Sequence, residues 1–361
     1  MHKYLIILLS IVLVFACRKK TIPPITPPII TIVEDTFIRG ADLSFLPEIE
    51  QTGTQFYNID SVGGNVLSIM QSAGCNTVRI RLWVNPGNTH SSFDEVYELA
   101  KRVKQNKMKL WLDFHYSDTW ADPGHQTLPS AWNGLNTSIL LDTVYNYTKR
   151  VMSAIQPEYV QIGNEINGGL LWNIGSINNQ SNFIDLLKAG SKACRDALPA
   201  SKIIIHFAGL NNSEWFYTLL QTNKLDYDIM GLSYYPIWHG RNLDTLEQSL
   251  KRLTSLTGKK VVIAETSYPF TLGWNDYTNN IIGDTSQIVS NYEPTSVGQL
   301  NFLKKIRSIL EQNKLGMGFC YWGCEWVAFK GPVSTTGSSW ENQAVFNFNR
   351  RALPVMQAFK R

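Results

Sequence analysis

Two glutamates of this chain end apolar stretches of the kind that form buried strands. Glu165 closes the run that starts at Val160, and Glu265 closes the run that starts at Val261, 100 residues later along the chain. A carboxylate at the end of a buried strand is costly to desolvate unless it has partners. Two such glutamates therefore indicate a paired-carboxylate site, in which one group handles a proton and the other attacks or directs water.

Such a site needs elements that bring distant strand ends together. From about residue 37 onward, apolar runs alternate with segments of helical periodicity, which predicts an α/β fold, a (β/α)8 or TIM barrel. Nearly continuous hydrophobicity indicates strands covered on both faces. The predicted strands are residues 37–43, 77–83, 109–115, 159–165, 202–207, 229–235, 260–266 and 316–322. The helical segments include residues 62–73, 93–105, 140–155, 183–198, 243–256 and 297–312.

Polar and aromatic residues crowd the ends of these predicted strands. Active sites of such barrels lie at the carboxyl ends of the strands, so this ring predicts a site there, completed by the long segments 115–136 and 267–295. Arginine, histidine, asparagine and tyrosine around two glutamates suit hydrolysis of a glycosidic bond, and aromatic rings stack on sugar faces. The strand-end residues are Asp42, Arg79, Arg81, Trp83, His115, Asn164, Glu165, His206, Tyr234, Tyr235, Glu265 and Trp322.

Composition and motif content exclude several other classes of protein. The chain has 361 residues, of which 44% are hydrophobic, and a net charge of +4 spread along its length, which does not predict nucleic-acid binding. It contains no Gly-Xaa-Ser-Xaa-Gly elbow, no Walker loop and no His-Glu-Xaa-Xaa-His motif. We expect a single catalytic domain, residues 37–361, that acts as a monomer.

The N-terminus has the pattern of an exported lipoprotein. Residues 1–16 combine a basic start with an apolar stretch too short to span a bilayer, which predicts a signal peptide. Ala16 before Cys17 resembles a lipoprotein cleavage site, so we expect Cys17 to carry a lipid in the bacterial outer membrane. The proline-rich residues 17–36 then form an extended tether. An ordinary signal peptide with a chance cysteine is the alternative.

The other cysteines are Cys75, Cys194, Cys320 and Cys324. Their spacing leaves disulfide pairing open, although Cys75 and Cys320 lie in apolar contexts where a buried free thiol is expected. Cys320 and Cys324 alone are a poor zinc signature, because no second ligand pair accompanies them.

Long stretches of the chain also resemble one enzyme family. They are Phe37–Ser44, Asn76–Val84, Asp113–Pro123, Gln161–Asn167, Gly231–Pro236, Ala264–Pro269 and Ser339–Ala344. In this order, over about residues 37–360, they resemble the family 53 glycoside hydrolases, which are arabinogalactan endo-β-1,4-galactanases. The resemblance implies a (β/α)8 barrel and retaining hydrolysis of β-1,4-galactan within the chain, without a cofactor.

The resemblance also implies roles for individual residues. Glu165 would be the general acid/base and Glu265 the nucleophile, with their carboxyl groups about 5 Å apart. Arg79 or Arg81 would keep Glu265 ionised, since residues two apart on a strand point the same way. Tyr234 would donate a hydrogen bond to Glu265, and Asn164 would reach the 2-hydroxyl of the sugar. The candidate sugar contacts are Trp83, His115, Asp118, Trp120, Trp238, His239 and Trp322.

Two features depart from the family pattern. Gly323 and Cys324 follow Trp322 where many relatives have glutamate and proline, which changes the neighbouring subsite. Some bacterial relatives bind calcium in the loop after the seventh strand, and here that loop offers Asn275, Asp276 and Asn280. Because a calcium ion takes six to eight oxygens, these three make only an incomplete structural site.

Two other functions fit the same residues. The first is a retaining barrel hydrolase for another β-linked glycan, such as a mannan or glucan. The second is a surface glycan-binding protein that has lost catalysis, against which the presence of both glutamates counts.

Overall fold

A computed structural model describes residues 35–361, of which residues 36–361 form one compact unit. Eight parallel strands close into a barrel in which each barrel strand pairs with the next and the last with the first. The predicted (β/α)8 fold is therefore confirmed. The predicted signal peptide 1–16 and residues 17–34 of the predicted tether lie outside the described residues. The barrel strands are Ile38–Asp42, Thr77–Leu82, Lys109–Phe114, Tyr159–Ile162, Lys202–Ala208, Ile229–Ser233, Lys260–Thr266 and Gly316–Tyr321.

Helices occupy the intervals between the strands. One of them, Ser213–Thr222, is not among the segments named from the sequence; it buries Phe216, Tyr217 and Leu220 on a single face. A two-stranded hairpin, Phe56–Tyr57 with Gly63–Gly64, stands outside the barrel. The α-helices are Leu46–Gln51, Val66–Ala73, Phe93–Gln105, Thr137–Ile155, Gln180–Ala197, Ser213–Thr222, Pro236–His239, Leu243–Thr257 and Ser296–Gln312.

The helix Phe93–Gln105 shows how the local sequence sets these elements. Ser92 caps its first turn, because the serine hydroxyl accepts a hydrogen bond from the backbone N–H of Glu95. Its buried residues recur at the spacing of one helical face, which covers the barrel. These residues are Val96, Leu99, Ala100 and Val103.

The fourth strand ends earlier than the sequence predicts, and this shapes the site. It stops at Ile162 rather than at residue 165. Gly163 and Glu165 both have left-handed backbone angles, with φ of 79° and 47°. A Cβ on Gly163 would lie 2.6 Å from Ile166, so the glycine allows a turn that a larger residue would strain. The turn places Glu165 at the barrel mouth instead of within the strand.

The four cysteines among the described residues lie in the buried core. Cys75, Cys194, Cys320 and Cys324 are buried free thiols, which confirms the expectation for Cys75 and Cys320. None of the helices within residues 35–361 has the length and hydrophobicity of a membrane span.

Candidate active site

A cavity of about 420 Å³ opens at the carboxyl ends of the barrel strands, where the sequence predicts the site. It brings together most of the predicted site residues, namely Asp42, Arg79, Arg81, His115, Trp120, Asn164, Glu165, Trp238, His239, Glu265 and Trp322. The predicted residues Trp83, Asp118 and Tyr234 are not among those that line it.

The two glutamates face each other across this cavity. One carboxylate oxygen of Glu165 and one of Glu265 lie within 4.8 Å of each other. Glu265 lies inside the seventh strand, Lys260–Thr266, and is 6% exposed. Carboxyl groups about 5–5.5 Å apart suit a covalent double displacement, whereas a water molecule between them needs a wider gap.

Glu265 is held by two donors. A guanidinium nitrogen of Arg79 lies 2.8 Å from its Oε1, and the hydroxyl of Tyr235 donates a hydrogen bond of 2.9 Å to its Oε2. Both partners stabilise the ionised carboxylate. Glu265 therefore has the surroundings of a charged nucleophile.

Arg79 is itself fixed by acceptors on neighbouring strands. Its guanidinium lies 2.9 Å from Asp42 and 2.8 Å from Asp113, and it donates hydrogen bonds to the side-chain oxygens of Asn164 and Gln161 at 2.8 and 3.2 Å. Asp42 and Arg79 are paired in register on the first and second strands. Because every arm of the planar fork is occupied, the arginine is oriented before substrate binds.

The other candidate arginine is held by groups other than Glu265. Arg81 donates hydrogen bonds to Ser91 and lies 2.7 Å from a ring nitrogen of His90. Its guanidinium also stacks 3.8 Å from the ring centre of Trp120, a cation–π contact. The structure thus decides between the two arginines in favour of Arg79, and Arg81 supports the ring of Trp120 instead.

The tyrosine prediction was wrong by one residue. The hydroxyl of Tyr234 donates to the backbone carbonyl of Gly240, away from the glutamates, and it is Tyr235 that reaches Glu265. The strand ends at Ser233, whose hydroxyl faces Glu165, and Tyr235 lies two residues further on the same side, whereas Tyr234 points the other way.

Burial and charge give the two glutamates different pKa values. Burial, together with the negative charge of Glu265, raises the pKa of Glu165 to about 8. Burial also raises the pKa of Glu265, to about 7, although Arg79 opposes the rise. Because only Glu265 pairs directly with a cation, it ionises first, and Glu165 keeps the proton.

His115 lines the cavity and holds neighbouring groups in place. Its Nδ1 accepts a hydrogen bond from the backbone N–H of Ala121 at 2.9 Å, so its Nε2 carries the proton and donates to Asp113 at 3.1 Å. Both ring nitrogens are therefore occupied, although the ring lines the cavity. Asn164 ties the same loop down, because its amide donates to the carbonyl of Ala121.

Asp118 and Trp83 are not among the residues that line the cavity. Asp118 accepts hydrogen bonds from the backbone of Asn85 and from the backbone and hydroxyl of Ser130, so it orders the loop after the third strand. Trp83 packs edge-on against Trp120, with ring centres 5.7 Å apart. The sugar contacts predicted for both residues stay predictions.

The aromatic wall extends beyond the residues named from the sequence. Trp120, Trp238 and Trp322 line the cavity, and so does Trp340, whose ring centre lies 4.8 Å from that of Trp322. His239 also lines it and accepts a hydrogen bond from the backbone of Tyr235. Burial lowers the pKa of His239 to about 4, so it is neutral at physiological pH.

Several functional groups were missed from the sequence alone. Asp113, Ser233 and Gln161 received no role, although each is polar within a buried strand, which is a signal of a partner. Trp340 lies in the loop after the eighth strand, where spacing alone gives no indication of contact with Trp322. Tyr235 is among the residues at the predicted strand ends, although the predicted contact with Glu265 is that of Tyr234.

Two places could hold a metal ion. Within the described residues, donor atoms of Glu165, His206 and Glu265 lie within 4.8 Å of one another, but the positive charge of Arg79 beside Glu265 opposes a cation there. In the loop 275–280, the Oδ2 of Asp276 and the Oδ1 of Asn280 are buried without a hydrogen-bond partner.

The loop site gains a second carboxylate from another part of the chain. Glu341 accepts a hydrogen bond from the backbone of Asn275 at 2.6 Å, and its other oxygen is also buried without a partner. Burial, with the nearby charge of Asp276, raises the pKa of Glu341. The oxygen donors of Asp276, Asn280 and Glu341 fit the preference of a hard cation such as calcium.

Comparisons with known proteins agree with this arrangement. A profile described as glycosyl hydrolase family 53 matches residues 38–359. The arabinogalactan endo-β-1,4-galactanase A of Aspergillus niger is 36% identical over 304 residues, which cover 80% of this chain and 85% of that protein. The endo-β-1,4-galactanase of Bacillus subtilis is 31% identical over 373 residues, covering 90% and 85% respectively.

A solved structure shows the same fold along nearly the whole chain. The GH53 catalytic domain of Ignisphaera aggregans superposes with a TM-score of 0.86 at 33% sequence identity, and the match covers 93% of this chain and 99% of that domain. The family profile and the fold agree over the same residues, and the chain belongs to glycosyl hydrolase family 53.

Proposed function

We propose that this protein is an endo-β-1,4-galactanase that hydrolyses pectic galactan with retention of configuration. The relatives from Aspergillus niger and Bacillus subtilis carry that activity in their names and match most of the chain. The observation that carries the mechanism is the approach of Glu165 and Glu265 to within 4.8 Å, because that gap suits direct attack on the sugar by one carboxylate.

The first step breaks the glycosidic bond. The protonated carboxyl of Glu165 gives its proton to the glycosidic oxygen, which takes the electron pair of the breaking bond and leaves as a hydroxyl. A carboxylate oxygen of Glu265 attacks the anomeric carbon from the opposite face, forming a covalent galactosyl ester. Arg79 and Tyr235 keep Glu265 ionised and oriented for this attack.

The second step releases the sugar. Ester formation removes the negative charge of Glu265, so the pKa of Glu165 falls and the group can act as a base. Glu165 takes a proton from water, the water oxygen bonds to the anomeric carbon, and the ester bond breaks to restore the carboxylate of Glu265. The two inversions together retain the β configuration.

Substrate binding uses the rest of the cavity. The faces of Trp120, Trp238, Trp322 and Trp340 suit stacking against galactose rings. Asn164 has one amide hydrogen bonded to Ala121, and its second is the group we assign to the 2-hydroxyl of the sugar at the cleavage point. No step of the reaction needs a cofactor.

A calcium ion, where it binds, would be structural. Asp276, Asn280 and Glu341 would hold it and tie the loop 275–280 to the segment around Glu341. The ion would supply charge compensation for the two buried carboxylates and would not take part in bond cleavage.

The protein's location forms part of the same proposal and rests on the sequence. Cleavage before Cys17, lipid attachment to it and the proline-rich tether would hold a monomeric catalytic domain at the outer membrane, where it meets polymeric galactan. Metabolic labelling with a radioactive fatty acid checks this: the full chain should be labelled, and Cys17→Ala should not.

The activity itself is tested on purified polysaccharides. Linear β-1,4-galactan should yield long oligosaccharides early and short ones later, as cleavage within the chain requires, whereas β-1,4-mannan and β-1,4-glucan should yield no products. Galactose alone from the earliest times, or equal activity on mannan, would contradict the proposal.

A further inference from the structure

A line of buried polar groups runs from Glu165 into the barrel. The hydroxyl of Ser233 lies 2.5 Å from Oε1 of Glu165 and 2.9 Å from Nε2 of His206. The other ring nitrogen of His206 lies 2.9 Å from Oδ1 of Asn164 and 3.0 Å from Nε2 of Gln161. Ser233 and His206 are fully buried, and neither acts in the two steps of the proposed reaction.

The strands place these groups side by side. Ser233 is paired in register with Ala208 on the fifth strand, two residues after His206, and with Glu265 on the seventh. Ser233 therefore lies between the seventh strand, which carries Glu265, and Glu165, which carries the transferable proton. Among residues 35–361, the ionisable side chains that hydrogen-bond the hydroxyl of Ser233 are Glu165 and His206.

The serine hydroxyl has one hydrogen and two neighbours that could accept it. His206 is neutral, because burial and the charge of Arg79 hold its pKa well below the usual range. A neutral imidazole has one donor and one acceptor nitrogen, so the tautomer of His206 decides where the serine hydrogen points.

The surroundings of His206 allow both tautomers. The amide of Asn164 is oriented by its bond to Ala121 and presents an acceptor to Nδ1, whereas Gln161, oriented by Arg79, presents a donor. In the first arrangement, Nδ1 accepts from Gln161 and Nε2–H donates to Ser233. In the second, Nδ1–H donates to Asn164 and Nε2 accepts from Ser233.

The two arrangements differ in their effect on Glu165. In the first, the serine hydroxyl donates to Oε1, so a proton on Glu165 must sit on Oε2, the oxygen left for the cavity. In the second, the serine oxygen can only accept, and the proton of Glu165 rests on Oε1, where it is bonded to Ser233 instead of being free for a substrate. Only the first arrangement presents the proton to a glycosidic oxygen.

We propose that Ser233, oriented by His206, is a positioning residue that keeps Oε1 of Glu165 a hydrogen-bond acceptor and thereby places the transferable proton on Oε2. The inference rests on the proposed role of Glu165 as general acid. It adds a requirement to that role: the acid must be protonated on one particular oxygen, and the hydroxyl of Ser233 selects it.

The consequence depends on the leaving group. A sugar hydroxyl leaves poorly without a proton, whereas a dinitrophenolate leaves without one. Replacing Ser233 by alanine should therefore lower kcat/KM for galactan by about tenfold or more, the loss expected for a hydrogen bond to an ionisable group. For 2,4-dinitrophenyl β-1,4-galactobioside, kcat/KM should fall less than about threefold, because that ratio reports only glycosylation.

The pH profile gives a second readout. The hydrogen bond from Ser233 lowers the pKa of Glu165 against the larger opposing effects of burial and of Glu265. Its loss raises that pKa, so the alkaline limb of kcat/KM for galactan should move to higher pH in Ser233→Ala. A residue that served only packing would lower the rate without moving the limb.

A matched pair of variants separates the hydroxyl from the shape. Ser233→Thr and Ser233→Val have nearly the same volume, so they share any steric cost and differ in the hydroxyl. We expect Ser233→Thr to keep the parent's ratio of kcat/KM on galactan to kcat/KM on 2,4-dinitrophenyl β-1,4-galactobioside. Ser233→Val should lower this ratio. This comparison also serves if the alanine variant does not fold. Ser191→Ala, which removes a buried hydroxyl bonded to the carbonyl of Asp226, controls for stability.

The outcomes are distinct. Equal losses on both substrates in Ser233→Ala and Ser233→Val, or no loss on either, overturn the inference and leave the role of Glu165 intact. Glu165→Ala must itself show the strong dependence on leaving group; if it does not, the proposed general acid is wrong, whatever Ser233 does.

Discussion

The guanidinium of Arg79 lies 2.8 Å from the carboxylate of Glu265, and both groups are buried at the barrel mouth. Asp42 shares one terminal nitrogen of this guanidinium with Glu265, and Asp113 contacts the other. Because the arginine is fixed by several acceptors, it stabilises the charge of Glu265 without reorganisation when substrate enters. Glu265, the proposed nucleophile, can therefore be deeply buried and still ionised.

Arg79→Lys should nearly abolish activity. Lysine is a point charge and cannot satisfy the acceptors that the planar fork reaches, so we expect kcat/KM for galactan to fall by about 100-fold or more. Thermal melts should show a loss of several kcal/mol, roughly 3–5 if the carboxylates lose their partner. Arg195→Lys, at a partly exposed ion pair with Asp226, is the control and should leave kcat/KM unchanged. Full activity of Arg79→Lys would show that the guanidinium of Arg79 is not needed for catalysis.

The pH profile of kcat/KM should be bell-shaped. Glu265 must be ionised, so activity falls as pH drops through its pKa, which burial raises to about 7. Glu165 must be protonated, so activity falls as pH rises through its pKa, which burial raises to about 8. The two limbs belong to the coupled pair. With 2,4-dinitrophenyl β-1,4-galactobioside, Glu165→Ala should lose the alkaline limb and keep the acidic one; an unchanged alkaline limb would contradict the assignment.

Neighbouring tyrosines provide a matched test of the corrected contact. Tyr235→Phe removes the hydrogen bond to Glu265 and should lower kcat by about tenfold to 100-fold. Tyr234→Phe removes the bond to the carbonyl of Gly240 and should lower the Tm while leaving kcat within about twofold. Steady-state kinetics and melting curves of both variants measure this. The reverse ranking of kcat would restore the original prediction for Tyr234.

Trp120→Ala should weaken binding more than it slows catalysis. The ring lines the cavity and is backed by the guanidinium of Arg81, so it offers one face to a sugar. We expect KM for galactan to rise by roughly tenfold, equivalent to about 1–1.5 kcal/mol, with a smaller change in kcat. Trp215→Ala, which removes a half-exposed ring on an outer helix, is the matched control. An unchanged KM in the Trp120 variant would exclude this ring from binding.

Calcium should stabilise the loop without affecting chemistry. Millimolar calcium should raise the Tm of the chelator-treated protein and leave kcat on galactan unchanged, because Asp276 and Glu341 are buried carboxylates without a cation beside them. Asp276→Ala should lose the calcium-dependent rise. Asp284→Ala, at an exposed cap further along the same segment, should keep it. A Tm independent of calcium in the parent protein would exclude the ion.

The barrel and its catalytic pair could be predicted because their signals are local. Continuous apolar runs mark strands covered on both faces, and a glutamate that closes such a run must face the mouth or remain unpaired. The early end of the fourth strand at Ile162 was not predicted, since it depends on the left-handed turn at Gly163, but the turn delivers Glu165 to the same place.

The contacts that the sequence did not predict depend on where each side chain lies inside the barrel. Arg79 and Arg81 share one strand face, yet they reach different partners because they lie at different heights in the barrel. Tyr235 rather than Tyr234 reaches Glu265 because it lies two residues after Ser233 and faces the same side as that serine. Ser233 and His206 look like ordinary core polar residues until their distance to Glu165 is known.

The stereochemistry of the first product tests the central claim most directly. Proton NMR of galactan digests in the first minutes resolves the anomer formed before mutarotation. A double displacement by Glu265 and Glu165 predicts that the new reducing ends appear first as the β anomer. Initial formation of the α anomer would show inversion by a single displacement and would contradict the proposed roles of both glutamates.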